Sequence, residues 1–255
     1  MNTFTMKWGL AFKVLGFVSI LIIVKRVVDV LNLEVATGEW PRAVTALVGG
    51  VVFTIAIIFS GTLTDYKESE KIPGELAAAI KALNEDSRVI YLNDRKITDD
   101  LRVHIRELLH TINANFRNNV WEIGEINAAM DAINEDIRRL AEKGAAPQFI
   151  VKLRSELINV DKISNRIKTV TETTFIPAAY GFAELAVGAV LLLLLFIKIE
   201  PYYVGLALIG ATSFLLIGII MLIKDMDNPF EVGRNTYADV DLSLLWKLEE
   251  DLNNE

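Results

Sequence analysis

The chain has 255 residues, 52% of them hydrophobic and 23% charged, with a formal net charge of −7 and no cysteine. The acidic balance offers no basic stripe for a phosphate backbone and argues against nucleic-acid binding. The lack of cysteine excludes disulfides, thiolate catalysis and cysteine-ligated metals. So much apolar content beside so many charges requires segregation along the chain, and that is what the sequence has. Residues 8–24, 43–63, 176–197 and 203–223 hold almost no charge, whereas 64–175 is rich in it.

Residues 8–24, WGLAFKVLGFVSILIIV, are a first membrane helix. No small-x-small cleavage site follows, so the run is retained and is not a signal peptide. Trp8 sits where an interfacial aromatic belongs, and Lys13 lies inside the span. A polar connection, EVATGEWPR, leads to the second membrane helix over 43–63. This helix is richer in small and hydroxyl residues than the others. Gly49, Phe53, Ile57, Ser60 and Thr64 share one face at helical spacing, with Asp65 at its mouth. Close helix packing is one reading of that face. The other is a pore wall in which Phe53 and Ile57 form a hydrophobic constriction that gates by dewetting.

From 64 to 175 the pattern is amphipathic and helical throughout, an extramembrane insert. After Pro73-Gly74, a helix to about Tyr91 carries Leu76, Ile80, Leu83 and Ile90. Asn93-Asp94 is a turn. Thr98 is placed as an N-cap for a helix with Leu101, Ile105, Leu108, Leu109, Ile112 and Phe116. Asn118-Asn119 breaks it. A third helix runs from Ile123 to Leu140 and is capped by Gly144. Pro147 opens a fourth, which continues to Phe175.

Residues 176–223 form a second membrane hairpin. Each half is just over 20 residues, and at ~1.5 Å per residue each crosses the ~30 Å hydrocarbon core. Lys198, Glu200 and Pro201 mark the turn. Glu184 lies inside the third span at a depth similar to that of Lys13, and the cost of a lone charge in lipid suggests that the two pair. The competing reading has Lys13 snorkelling and Glu184 protonated or bonded to a hydroxyl. The tail, 224–255, starts with Asp225, Asp227, Asn228 and Glu231. These are hard oxygen ligands of the kind Ca²⁺ takes, though without an EF-hand pattern; a polar membrane exit with an Asx turn is the alternative. Leu242, Leu245, Leu248 and Leu252 then mark an amphipathic helix that docks on the insert or on a neighbouring subunit.

The expected fold is therefore all-α: four transmembrane helices with a helical insert between the second and third, over domains 1–63, 64–175, 176–223 and 224–255. Lys7, Lys67, Lys71, Arg166, Lys168 and Lys224 flank the membrane on the insert side, against Lys25, Arg26, Arg42 and Lys198 opposite. That bias puts the insert and both termini in the cytoplasm. The lack of cysteine and of a targeting signal fits a prokaryotic inner membrane. The histidines are His104 and His110, and no HExxH, GxSxG, Walker A or GxGxxG pattern occurs, so an enzyme has no residues to stand on.

The layout of two spans, a helical insert and two spans resembles bestrophins, and more closely the prokaryotic bestrophin-like proteins. Three stretches carry the resemblance. Thr64-Asp65-Tyr66-Lys67-Glu68-Ser69-Glu70-Lys71-Ile72-Pro73-Gly74 has an aromatic followed by spaced acidic residues. Pro177 opens the third span after a polar helix, and Asp227-Asn228-Pro229-Phe230 follows the fourth. The resemblance implies a pentameric ion channel whose second helix lines a hydrophobic neck, with Phe53 and Ile57 as neck residues. The bestrophin segment after the last span joins Asn-Pro-Phe to an acidic run that helps bind Ca²⁺. Here only Glu231 follows Asn228-Pro229-Phe230. The implied partners are the lipid bilayer, further copies of the chain and inorganic ions. A non-conducting scaffold or sensor, whose insert binds a partner, is the alternative function. A transporter ranks third, because neither repeat symmetry nor broken helices are evident.

Overall fold

The computed structural model describes residues 3–35, 40–90, 95–172, 177–231 and 237–254, with the backbone alone at 3–7 and 95. The described residues are almost wholly helical. In chain order the helices are α1 (Thr3–Val30), α2 (Trp40–Ser69), α3 (Ile72–Val89), α4 (Arg95–Asn118), α5 (Ile123–Glu142), α6 (Pro147–Glu172), α7 (Pro177–Phe196), α8 (Tyr202–Asp227) and α9 (Ser243–Asn253). β-type pairing among them is a lone parallel bridge, Val35 to Ile197, in which Val35 N donates to Phe196 O at 2.7 Å. The turn expected at Asn93-Asp94, and Phe175 and Ile176 at the expected junction of insert and third span, lie outside the described residues.

The chain forms two units. The first comprises Met1–Tyr66, Thr174–Asp227 and Asn235–Ala238. Its core is built from one face each of α2, α7 and α8. Val44, Val51, Ile55 and Ile58 meet Ala183, Val187, Val190 and Leu194, with Ile209, Leu216 and Ile223. α1 packs against α8 and α7. The outer faces are apolar too: Phe182 is 65% exposed, Leu185 77% and Leu215 59%. Water would not tolerate so continuous an apolar surface, but lipid does. Three helical runs, those holding α2, α7 and α8, are long and apolar enough to cross a membrane.

The second unit comprises Lys67–Thr173, Asn228–Arg234 and Asp239–Glu255. Apolar residues at three- and four-residue spacing put one stripe of each helix inside. Leu76, Ile80 and Leu83 of α3, Leu101, Ile105, Leu108 and Ile112 of α4, Ile126 and Ile133 of α5, and Leu153, Val160 and Ile167 of α6 are all fully buried. α9 lays Leu245, Leu248 and Leu252 against α3 and α4, so the tail helix packs on helices of its own unit.

The punctuation follows backbone chemistry. Pro73 falls in the first turn of α3, where its missing N–H costs nothing. α4 ends where Asn119 turns left-handed at φ 54°. α5 ends at Gly144, whose φ of 84° suits glycine, with its N–H on Ala141 O at 3.1 Å. Several expected boundaries move: α1 extends beyond 8–24 at both ends and α8 runs past 223 to Asp227. α4 starts at Arg95, so Thr98 is a buried residue inside the helix and not its N-cap. α2 does not stop at 63 but runs on to Ser69.

Candidate pore-lining helix

α2 has two contrasting faces. Val44, Val51, Ile55, Ile58 and Thr62 are buried. Thr62 also ties the helix to its neighbour, because its Oγ1 lies 3.2 Å from the Tyr180 hydroxyl of α7 and 3.2 Å from Ile58 O. Tyr180 in turn donates to Asp227 Oδ1 of α8 at 2.8 Å. This chain of hydroxyls fixes the rotation of α2 about its own axis.

The opposite face is turned out of the unit. Phe53 is 68% exposed and Ile57 60%; Gly49, Ser60, Thr64 and Asp65 are exposed as well. The six sequence candidates thus share one uncovered stripe, as their spacing requires. Thr64 turns its hydroxyl proton back to Ser60 O at 2.9 Å, and Thr54 does the same to Gly50 O at 3.0 Å. A hydroxyl bonded in this way keeps its lone pairs facing outward.

Glu184 does not pair with Lys13. Its carboxylate meets Lys224 Nζ of α8 at 2.7 Å, while Lys13 is exposed on α1. Counting residues from a helix end gives depth in a membrane but not the side of the helix on which a residue sits, and Lys224 is the cation on the right side.

The strongest polar cluster of this unit is one that sequence reasoning missed. Lys25, only 3% exposed, reaches Asp29 at 2.6 Å, Glu34 at 2.5 Å and the carbonyl of Ile197 at 2.9 Å. Beside it, Arg26 stacks over the Tyr202 ring at 5.3 Å and donates to its hydroxyl at 3.2 Å. The cluster joins the end of α1 to the turn between α7 and α8. The i,i+4 spacing of Lys25 and Asp29 was the available signal.

No family model matches the sequence, and no curated protein matches it. Solved structures do. Two variants of a bacterial bestrophin homolog from Klebsiella pneumoniae superpose with TM-scores of 0.74 and 0.71. Their sequence identities are 12% and 15%, over 98% and 97% of this chain and equal shares of their own. Another structure, described only as a membrane protein, gives a TM-score of 0.76 at 14% identity, over 94% of this chain and 97% of its own. The chain has the bestrophin fold.

Within the bestrophin fold the segment after α8 was the Ca²⁺ candidate, and here the structure corrects the expectation. Asp225 Oδ2 accepts the Tyr237 N–H at 2.7 Å, and Asp227 Oδ1 is taken by Tyr180. Glu231 Oε1 receives the Asn228 amide at 3.3 Å. Asp225 and Asp227 lie two residues apart on one helix, which points them to different sides. Among the described residues no group of three or more acidic or histidine side chains is placed to hold a metal ion. Phe230 is buried instead against the Phe116 ring, with centroids 5.8 Å apart.

The two histidines each serve a carboxylate of the second unit. His104 Nδ1 lies 2.5 Å from the buried Asp136 of α5, and the exposed His110 lies 2.8 Å from Glu249 of α9. Glu249 also accepts from Asn113 at 2.9 Å and Arg117 at 2.6 Å. His110, Asn113 and Arg117 recur along one stripe of α4, a pattern from which a polar seat for the tail was readable.

Proposed function

We propose that copies of this chain assemble around a common axis, with α2 innermost, and that they conduct inorganic ions along it. One observation carries the reading. α2 leaves uncovered a face that mixes two large apolar side chains, Phe53 and Ile57, with Ser60, Thr64 and Asp65 at one end. The uncovered side chains of α7, such as Phe182, Leu185 and Leu192, are apolar and suit acyl chains, apart from Glu184, which carries its own cation in Lys224 at 2.7 Å. A carboxylate and two hydroxyls do not suit lipid; they suit water. Phe53 and Ile57, facing their counterparts, form a hydrophobic constriction, and Asp65 gives the entrance an acidic ring that favours cations.

The same reading makes α1 the fourth span, since Phe12, Phe17, Ile20 and Ile23 are exposed along it. It also places the second unit and both termini in the cytoplasm of a prokaryotic cell and, by likeness to bestrophins, makes the assembly a pentamer. Ion flux through liposomes holding the purified protein tests it. Flux above that of empty vesicles, raised severalfold by Phe53→Ala, is the expected result. Flux equal to that of empty vesicles ends the channel reading and leaves a non-conducting scaffold.

A further inference from the structure

A cavity of about 620 Å³ opens on the second unit between the end of α3, the first turns of α4 and the last turn of α9. Its lining is unlike the rest of this acidic chain. Arg88, Arg102 and Arg106 contribute three guanidiniums against the single carboxylate of Asp99, while Val103 and Leu252 add an apolar wall.

Several other arginines of the unit are held by close carboxylates, though among the described residues Arg154 is not. Arg117 has Glu249 at 2.6 Å, Arg138 has Glu135 at 2.5 Å and Arg166 has Glu68 at 3.1 Å. Two of the cavity's arginines, Arg102 and Arg106, are held less. Arg102 approaches Asp99 only to 3.5 Å, and its Nε is buried without a hydrogen-bond partner. Arg106 makes no ion pair or hydrogen bond among the described residues. A buried guanidinium N–H left unpaired is costly unless something else satisfies it. Arg102 and Arg106 stand one helical turn apart, so their forks project side by side from α4. The planar fork matches the oxygens of phosphoryl groups two at a time.

We propose that this cavity binds a small molecule bearing two or more phosphoryl groups. Two guanidinium forks side by side, Arg102 and Arg106, call for an anion with two charges. The volume suits a molecule of metabolite size and exceeds what a bare halide would fill. Val103 and Leu252 take the apolar part of the ligand.

Calorimetric titration of the purified full-length protein in detergent with inorganic pyrophosphate tests this, with chloride at matched ionic strength as the control. Saturable binding of pyrophosphate that chloride does not reproduce is expected. Arg106→Gln raises Kd by about tenfold, the order for losing one charge-assisted hydrogen-bonding group. Arg102→Gln has at least as large an effect. Arg106 has no internal partner to lose, so its variant keeps the parent's thermal unfolding, and a fold defect in the Arg102 variant leaves the test intact. Pyrophosphate bound no better than chloride, or bound equally well by parent and Arg106→Gln, overturns the proposal. So does an Arg106→Gln variant that dissociates the assembly while pyrophosphate does not compete with self-association, since the cavity then faces carboxylates of a neighbouring copy.

Discussion

Glu249 shows how a single carboxylate fixes a tail. Burial opposes its ionisation, but the bonds from His110, Asn113 and Arg117 outweigh it and hold the carboxyl below its ordinary value. A depressed carboxyl adds stability that is complete above its unfolded pKa, ~4.3, and is lost as the pH falls through the lower folded value. Protection of the α9 amides, taken relative to their intrinsic exchange rate at each pH, will therefore be high and level near neutrality and will fall in acid. Glu249→Gln will remove that acid step and loosen α9 by about 1–3 kcal/mol near neutrality, with variant and parent converging in acid. Lys25 is the counterpart in the first unit. Lys25→Met leaves Asp29 and Glu34 without their cation and will cost about 3–5 kcal/mol in thermal unfolding. Adding Asp29→Asn to it will restore part of the loss. If the double variant is no more stable than the single, the carboxylates are not the source of the cost. None of this was visible in composition, because a charge beside a span reads equally well as a solvated flank.

At the scale of the element, α2 divides its residues between two duties. Ile55, at 1% exposure, fills the core that α2 shares with α7 and α8, and Ile55→Ala will destabilise the unit by about 2 kcal/mol or more. Phe53, two residues earlier, is uncovered, so Phe53→Ala will leave thermal unfolding nearly unchanged and act on flux. Equal loss of stability in both variants would place Phe53 in a packed interface. The face itself was legible from the spacing of Gly49, Phe53, Ile57, Ser60 and Thr64. The end of the helix was not, because the fall in hydropathy after residue 63 marks a change of surroundings and not a change of backbone. Hydroxyl and acidic residues continue a helix readily, and the break comes at Glu70-Lys71, because Pro73 has no N–H to give Ser69 O four residues back and instead opens α3. Thr98 fails for the related reason that Arg95-Lys96-Ile97 are themselves adequate helix formers. Where the punctuation was a proline, a left-handed asparagine or a glycine, as at Pro147, Asn119 and Gly144, the boundary was found.

For the whole molecule, the absence of native cysteine makes assembly directly testable. Ser60→Cys, on the uncovered face of α2, will join neighbouring chains under mild oxidation, whereas a cysteine in place of Phe182 on α7 will stay monomeric. The reverse outcome would put α2 against lipid. The all-α layout and the run of helices were readable because apolar periodicity and span length report directly on solvent. Long-range polar choices were not. Glu184 had two lysines within reach of any plausible packing, and only the three-dimensional arrangement selects Lys224. The Lys25 cluster bears on how the protein is made. Its ammonium rests on Asp29 and Glu34, which leave the ribosome within moments of it, and on the backbone oxygen of Ile197, 172 positions later. A nascent first hairpin therefore carries its own neutralising groups while it waits, and the last hairpin closes the coordination when it arrives.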